Sequence, residues 1–165
     1  MSLSCIRTQL LKSSFAHAKT LGFNEHCIVK ACEEQKLPST TAGLIQPVDV
    51  AYHAMDTWHD RMEDALLNGE DIDLNKMGVT DRIRHGLWLR LSYLQETQYL
   101  QVWPQAMALG LVPTNLPITL SKLNQIGDTI WFVAGDNSVD FNWYSKRALL
   151  AMVYISTELY MIQDP

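Results

Sequence analysis

Few residues in this chain have the types and spacing that chemistry needs. Asp71-x-Asp73-x-Asn75 opens like a calcium loop, with oxygen donors at alternate positions. A complete loop needs glycine at its sixth position and a bidentate glutamate at its twelfth. Lys76 and Arg82 stand there instead, and two cationic side chains would repel the ion. Asp56-x-x-His59 has the acid-x-x-His spacing of helical di-iron sites. Such a site draws on two of these motifs and two further carboxylates from facing helices. No second copy occurs, so the pair reads as a solvated helix face. There is no Gly-x-Ser-x-Gly nucleophile elbow and no glycine-rich phosphate loop. Cys27 has only its sequence neighbour His26 within reach, and neighbours on a helix point apart. The expectation is a protein without catalytic residues, metal or cofactor.

One cluster exceeds what folding requires. After the polar turn Asp136-Asn137-Ser138 come Asp140, Phe141, Asn142, Trp143 and Tyr144, then Lys146 and Arg147. On a helix, positions 140, 144 and 147 share a face. Trp143 and Tyr144 diverge by about 100° and cannot both enter one core. At least one large aromatic therefore stands near the surface. Trp, Tyr and Arg are the usual anchors of binding surfaces. The other reading is a capping and ion-pair corner, with Asp140 joined to Arg147 or Lys146. The residues alone leave both open.

The elements that position this corner are all helical. No alternating strand pattern of useful length occurs. Apolar spacing predicts a first helix over 4–20 and a second over 25–35 with Asn24 as its N-cap. Leu37-Pro38-Ser39 breaks the second, and a short helix over about 39–46 follows, capped by Ser39 or Thr40. These three pieces have helix-turn-helix proportions. A long helix covers 48–67, with Ala51, Met55, Trp58, Met62, Ala65 and Leu66 inward and His53, Asp56, His59, Asp60 and Glu63 on the wet side. After an acidic linker, Thr80 caps a helix over 81–94. There Ile83, Leu87, Leu91 and Leu94 face in, while Arg82, Arg84, His85 and Arg90 face elsewhere. A short helix starts at Trp103-Pro104, where proline suits a first turn. Another runs from Asn115 to Ala134, with Leu116, Leu120, Leu123, Ile126 and Ile130 inside and Gly135 as its left-handed stop. The last spans 139–162, opened by a box of Asn137 and Asp140. It is apolar on most sides through Ile155, so it is expected to be buried between neighbours.

Composition narrows the functional classes. The chain has 165 residues and a net charge of −5. That length suits a single domain, here a helix-turn-helix-like unit over 1–47 and a helical body over 48–165. It buries enough surface, roughly 70%, to fold without metal or disulfide. No basic run exceeds two residues, and the second helix of the helix-turn-helix region has no Arg or Lys. Nucleic-acid binding is thus disfavoured, since both phosphate contact and base readout lean on those side chains. Three cysteines without tight spacing point to reduced thiols. No apolar run approaches the length of a membrane span. Residues 6–19 are basic and acid-free like a transit peptide, but their helical spacing makes them the first structural helix, so no targeting segment is visible.

The corner and its flanks carry a resemblance. Ala134-Gly135-Asp136-x-Ser138-x-Asp140-Phe141-Asn142-Trp143-Tyr144-Ser145-Lys146-Arg147-Ala148 is followed by Tyr154-x-x-Thr157-Glu158-Leu159 and Gln163-Asp164. Trp103-Pro104-x-Ala106 and Pro113-x-Asn115-x-Pro117 precede it. In this order they resemble the ubiquinone-biosynthesis accessory family known as Coq-nine, most closely from Trp103 onward. The resemblance implies an all-α, TetR-repressor-like helical bundle. It also implies a non-enzymatic, homodimeric protein at the matrix side of the mitochondrial inner membrane. Such a protein binds isoprenoid quinone intermediates and phospholipids, and presents substrate to the di-iron demethoxyubiquinone hydroxylase. Trp143 and Tyr144 match that family's partner-contacting pair, and Asp136, Asp140 and Arg147 lie in the same matched stretch. Peripheral membrane contact is expected from an amphipathic helix that follows the Gln-Asp end in that family. A dry, adaptable slot for such a lipid is expected among Trp88, Leu91, Trp103, Met107, Trp131, Met152 and Ile155. The same fold also houses ligand-responsive DNA-binding regulators, which are the alternative.

Overall fold

The computed structural model describes residues 3–69, 76–136 and 141–163. The Asp71–Asn75 motif, the Asn137–Asp140 box and Asp164 lie outside them. The described residues form seven α-helices and one 3-10 helix, with no strand, so the chain is all-α. In order these are α1 (Leu3–Leu21), α2 (Glu25–Glu34), the 3-10 helix (Ser39–Leu44), α3 (Pro47–Asn68), α4 (Val79–Glu96), α5 (Trp103–Gly110), α6 (Leu116–Ala134) and α7 (Phe141–Gln163). Among the described residues no helix is long and apolar enough to cross a membrane.

Packing divides the chain into two compact units, Met1–Asp56 with Gln98–Thr119, and Thr57–Thr97 with Leu120–Pro165. In the first unit α1 ends at Gly22, whose φ of +80° is left-handed and whose N–H donates to the Ala18 carbonyl. A side chain there would collide with Gln105, whose Oε1 instead accepts the Phe23 N–H at 3.0 Å. Asn24 caps α2 as expected, accepting from the His26 N–H at 2.9 Å. Lys36 takes the left-handed stop after α2 at φ +53°, and the Leu37 N–H reaches back to the Cys32 carbonyl at 2.9 Å. The core of this unit is aromatic. Phe15 stacks on Tyr99 at 4.7 Å, and Phe23 meets Trp103 edge-on at 5.7 Å. The Tyr99 hydroxyl donates to the Phe15 carbonyl at 2.7 Å, as a buried phenol must find a partner.

The short helix expected over 39–46 is a six-residue 3-10 helix without a side-chain cap. Gly43 inside this short stretch disfavours an α-helix.

The second unit buries Trp58, Met62 and Leu66 of α3 and Gly86, Leu91, Tyr93 and Leu94 of α4. Ile126, Ile130 and Ala134 of α6 join them, with Leu150 and Tyr154 of α7. Several expectations change here. Arg90 was placed away from the core, yet it is fully buried. It lies four residues after Gly86 and four before Leu94, so it shares their inward face. α4 starts at Val79, with Gly78 rather than Thr80 at the cap position. His53 and His59 are half-buried rather than wet. Leu120 is 55% exposed, although the spacing put it inside.

The largest correction concerns α7. Its inward face is Arg147, Leu150, Tyr154 and Glu158, at steps of three and four. Leu149, Met152, Val153 and Tyr160 lie on the opposite side, each more than half exposed. The apolar block is therefore not buried on most sides: a helix at the surface of a unit presents only one stripe inward.

Candidate functional site

The corner is built from the facing ends of α6 and α7. Gly135 stops α6 at φ +87°, a conformation that costs glycine little and other residues more. The Asp136 N–H then donates to the Trp131 carbonyl at 3.0 Å. This six-to-one closure turns the chain back and buries the Asp136 carboxylate, whose side chain is 6% exposed. Lys146 Nζ donates to Asp136 Oδ1 at 2.5 Å, and Arg147 Nη1 lies 3.5 Å from Oδ2.

Arg147 is the hub. Its side chain is buried between two carboxylates, because Nε also donates to Asp128 Oδ1. Its Nη1 donates to the Trp143 carbonyl at 3.2 Å, and its guanidinium carbon stands 4.0 Å from the centre of the Trp143 ring. A Cβ added at Gly127 would lie 3.7 Å from Arg147 Cγ, an ordinary contact, so this approach of α6 does not depend on the glycine. Tyr144 meets Trp143 edge-on, at 4.7 Å and 77° between planes. Trp143 is half-buried and Tyr144 is 68% exposed. Lys146 sits 5.3 Å from the centre of the Trp131 ring.

The two readings of the corner thus coincide. It is an ion-pair corner, and the ion pairs hold an aromatic pair at the surface. A buried guanidinium with bonds to carboxylates and a carbonyl has few other orientations open to it. Through the ring contact it also fixes the Trp143 indole. The described carboxylates on Arg147 are Asp128 and Asp136, and Asp140 lies outside the described residues. Asp128 was missed in sequence because nothing local marks it. Its signal is hairpin symmetry: it stands as far before the turn as Arg147 stands after it.

The other predicted residues are spread more widely. Trp103 is buried and Met107 half-buried in the first unit. In the second unit Leu91 is buried, Trp131 and Ile155 are half-buried, and Trp88 and Met152 are exposed by 62% and 57%. Trp103 and Met107 thus belong to the first unit, and the other five to the second. Among the described residues no group of His, Cys, Asp or Glu could hold a metal ion. Cys5 is exposed, whereas burial pushes the thiols of Cys27 and Cys32 above their ordinary range.

Comparison with known proteins gives this arrangement relatives. The COQ9 family model matches residues 116–165. A curated relative from Xenopus laevis, "Ubiquinone biosynthesis protein COQ9-B, mitochondrial", is 47% identical over 96% of this chain and 56% of its own length. The Rattus norvegicus "Ubiquinone biosynthesis protein COQ9, mitochondrial" is 30% identical over 96% of the chain and 52% of its own. Over α6 and α7 the chain is thus similar to the COQ9 family. It is also similar to the Dictyostelium discoideum "Probable ubiquinone biosynthesis protein coq9, mitochondrial", at 29% identity over 96% of the chain. The chain spans about half the length of these curated relatives. The span matched by the COQ9 model takes in all of α6 and α7. Every described member of the corner, including Asp128, therefore lies within the span that the COQ9 model matches.

Proposed function

We propose that this chain acts in ubiquinone biosynthesis as a non-enzymatic, lipid-binding accessory protein. Its ligands are isoprenoid quinone intermediates and phospholipids. Its partner is the di-iron demethoxyubiquinone hydroxylase, to which it presents substrate, and its place is the matrix side of the mitochondrial inner membrane. The observation that carries the partner half of this reading is the clamped pair of half-buried Trp143 and exposed Tyr144, held by Arg147. Rigid, amphipathic aromatics backed by a buried arginine suit an anchor, because little side-chain entropy is lost on docking. The names of the curated relatives support the pathway and the organelle. The exposed apolar strip of Leu149, Met152, Val153 and Tyr160 on α7 supports association with a second copy, since such a strip is costly to leave wet.

Two measurements test this. Mild purification followed by native mass spectrometry is expected to find bound prenyl lipid or phospholipid. Titration of the hydroxylase is expected to give tight binding by the wild-type chain and none by the Trp143→Lys variant. A lipid-free protein, together with normal hydroxylase binding by that variant, would overturn the reading.

A further inference from the structure

The second unit holds a cation that the corner does not use. Arg90 is fully buried on the inward face of α4. Trp58 of α3 and Tyr154 of α7 stand against it, with ring centres 5.2 Å and 5.5 Å from the guanidinium carbon. Cation–π contact offsets part of the lost hydration. It leaves the N–H donors open: among the described residues Nε, Nη1 and Nη2 have no hydrogen-bond partner. A guanidinium carries five such donors in a planar fork, and buried donors left open are among the costliest features a core retains. The carboxylate of Glu158, itself buried, is engaged by the Tyr154 hydroxyl, which donates to Oε1. One buried core thus contains a cation with open donors, a carboxylate engaged by the Tyr154 hydroxyl, and two aromatic faces.

We propose that Arg90 is the internal polar anchor for the ligand, donating hydrogen bonds to a ring carbonyl oxygen of a quinone-type head group set against Trp58 and Tyr154. The proposal rests on the lipid-binding reading above and adds to it the residue that would recognise the head. Three features select this ligand class. The open fork demands an oxygen acceptor. A carboxylate or phosphate would place a second anion beside Glu158 in a low-dielectric core, whereas a neutral carbonyl adds no charge. The flanking indole and phenol rings favour a flat, aromatic-sized head. Arg90 is enclosed, so the head reaches it when the helices carrying Trp58 and Tyr154 part. Binding is then a shift of population toward an opened second unit.

The test compares two probes with the same tail, decylubiquinone and decylbenzene, by equilibrium dialysis against the full chain and its Arg90→Met variant. Methionine keeps apolar bulk and removes the fork. The wild-type chain is expected to bind the quinone at least ten-fold more tightly than the hydrocarbon, and the variant to bind both as the wild type binds decylbenzene. A variant that keeps the preference overturns the anchor. So does a wild-type chain that binds both probes equally, although lipid binding itself then stands. A wild-type chain that binds neither removes the lipid reading and the anchor together. Infrared spectra of wild-type chain loaded with decylubiquinone need no variant. One carbonyl stretch is expected to move to lower wavenumber, and two unshifted stretches would overturn the proposal even if the methionine variant failed to fold.

Discussion

Arg147 holds its guanidinium carbon 4.0 Å from the centre of the Trp143 ring while its Nε donates to Asp128 on the facing helix. The orientation of the aromatic anchor thus depends on a carboxylate fifteen residues earlier, on the facing helix. Asp128→Asn keeps the shape and removes the charge. Asp128 is 42% exposed on its side chain, so solvent already screens the pair, and the stability loss is expected to be about 1 kcal/mol or less. For a chain of this size that is a fall of roughly 2–4 °C in Tm. Hydroxylase affinity is expected to fall by more than that loss accounts for, because Trp143 becomes free to rotate. Calorimetry beside a binding titration checks this, and an unchanged affinity would detach Asp128 from the anchor.

Tyr144 separates docking from folding more cleanly. It is 68% exposed and touches Trp143 edge-on. Tyr144→Ala is expected to change stability by no more than about 0.5 kcal/mol, as surface substitutions generally do. If the pair is the anchor, partner affinity falls by about 2 kcal/mol, close to thirty-fold. A chain that unfolds as the wild type does and binds the hydroxylase normally would remove Tyr144 from the interface.

The residues explain what sequence reasoning reaches. Gly135, Asn24 and the aromatic pair were legible because each acts through its own local chemistry: a left-handed stop, a side-chain cap, and two adjacent bulky rings that cannot share a core. Arg90 was misplaced because charge was allowed to outrank position. Its four-residue spacing from Gly86 and Leu94 puts it inward, and only Trp58 and Tyr154, from two other helices, make that tolerable. The exposed side of α7 was misjudged for a related reason. An apolar block shows that burial would be favourable, but which neighbours supply it is a property of the assembled helices. Asp128 needed the α6–α7 register, which no single stretch of sequence contains.

Two glycines make a matched pair of packing tests. At Gly127 an added Cβ meets Arg147 Cγ at 3.7 Å, an ordinary contact. Gly127→Ala is therefore expected to stabilise α6 by roughly 0.5–1 kcal/mol through backbone entropy and helix propensity. At Gly86 the added Cβ lies 3.0 Å from Cγ1 of Ile130, which is 1% exposed and has nowhere to move. Gly86→Ala gains the same propensity but overpacks the core, for a net loss of about 1 kcal/mol or more. Urea unfolding at constant m distinguishes them. Equal shifts for both would mean that α4 and α6 do not approach as closely as this packing requires.

Tyr99 gives the pH dependence. Burial pushes its hydroxyl up to about 12 from the ordinary 10.0, with the nearby Cys27 thiol adding to the effect. The folded state holds this proton more tightly than the unfolded chain does. The stabilisation is therefore fully present below pH 10 and is lost as pH rises from 10 through 12. Two units correspond to roughly 2–3 kcal/mol from this residue. Burial also raises Tyr93 and Tyr154, so the wild-type chain declines by more than Tyr99 alone accounts for, and the informative quantity is the difference from Tyr99→Phe. That variant lacks the 2.7 Å bond to the Phe15 carbonyl and is expected to be about 1 kcal/mol less stable at neutral pH. Above pH 10 its stability is expected to fall less steeply, so the two curves converge and then cross near pH 11. Urea midpoints between pH 8 and 12 measure this, and parallel curves would show that the Tyr99 phenol ionises as freely in the folded chain as in the unfolded one.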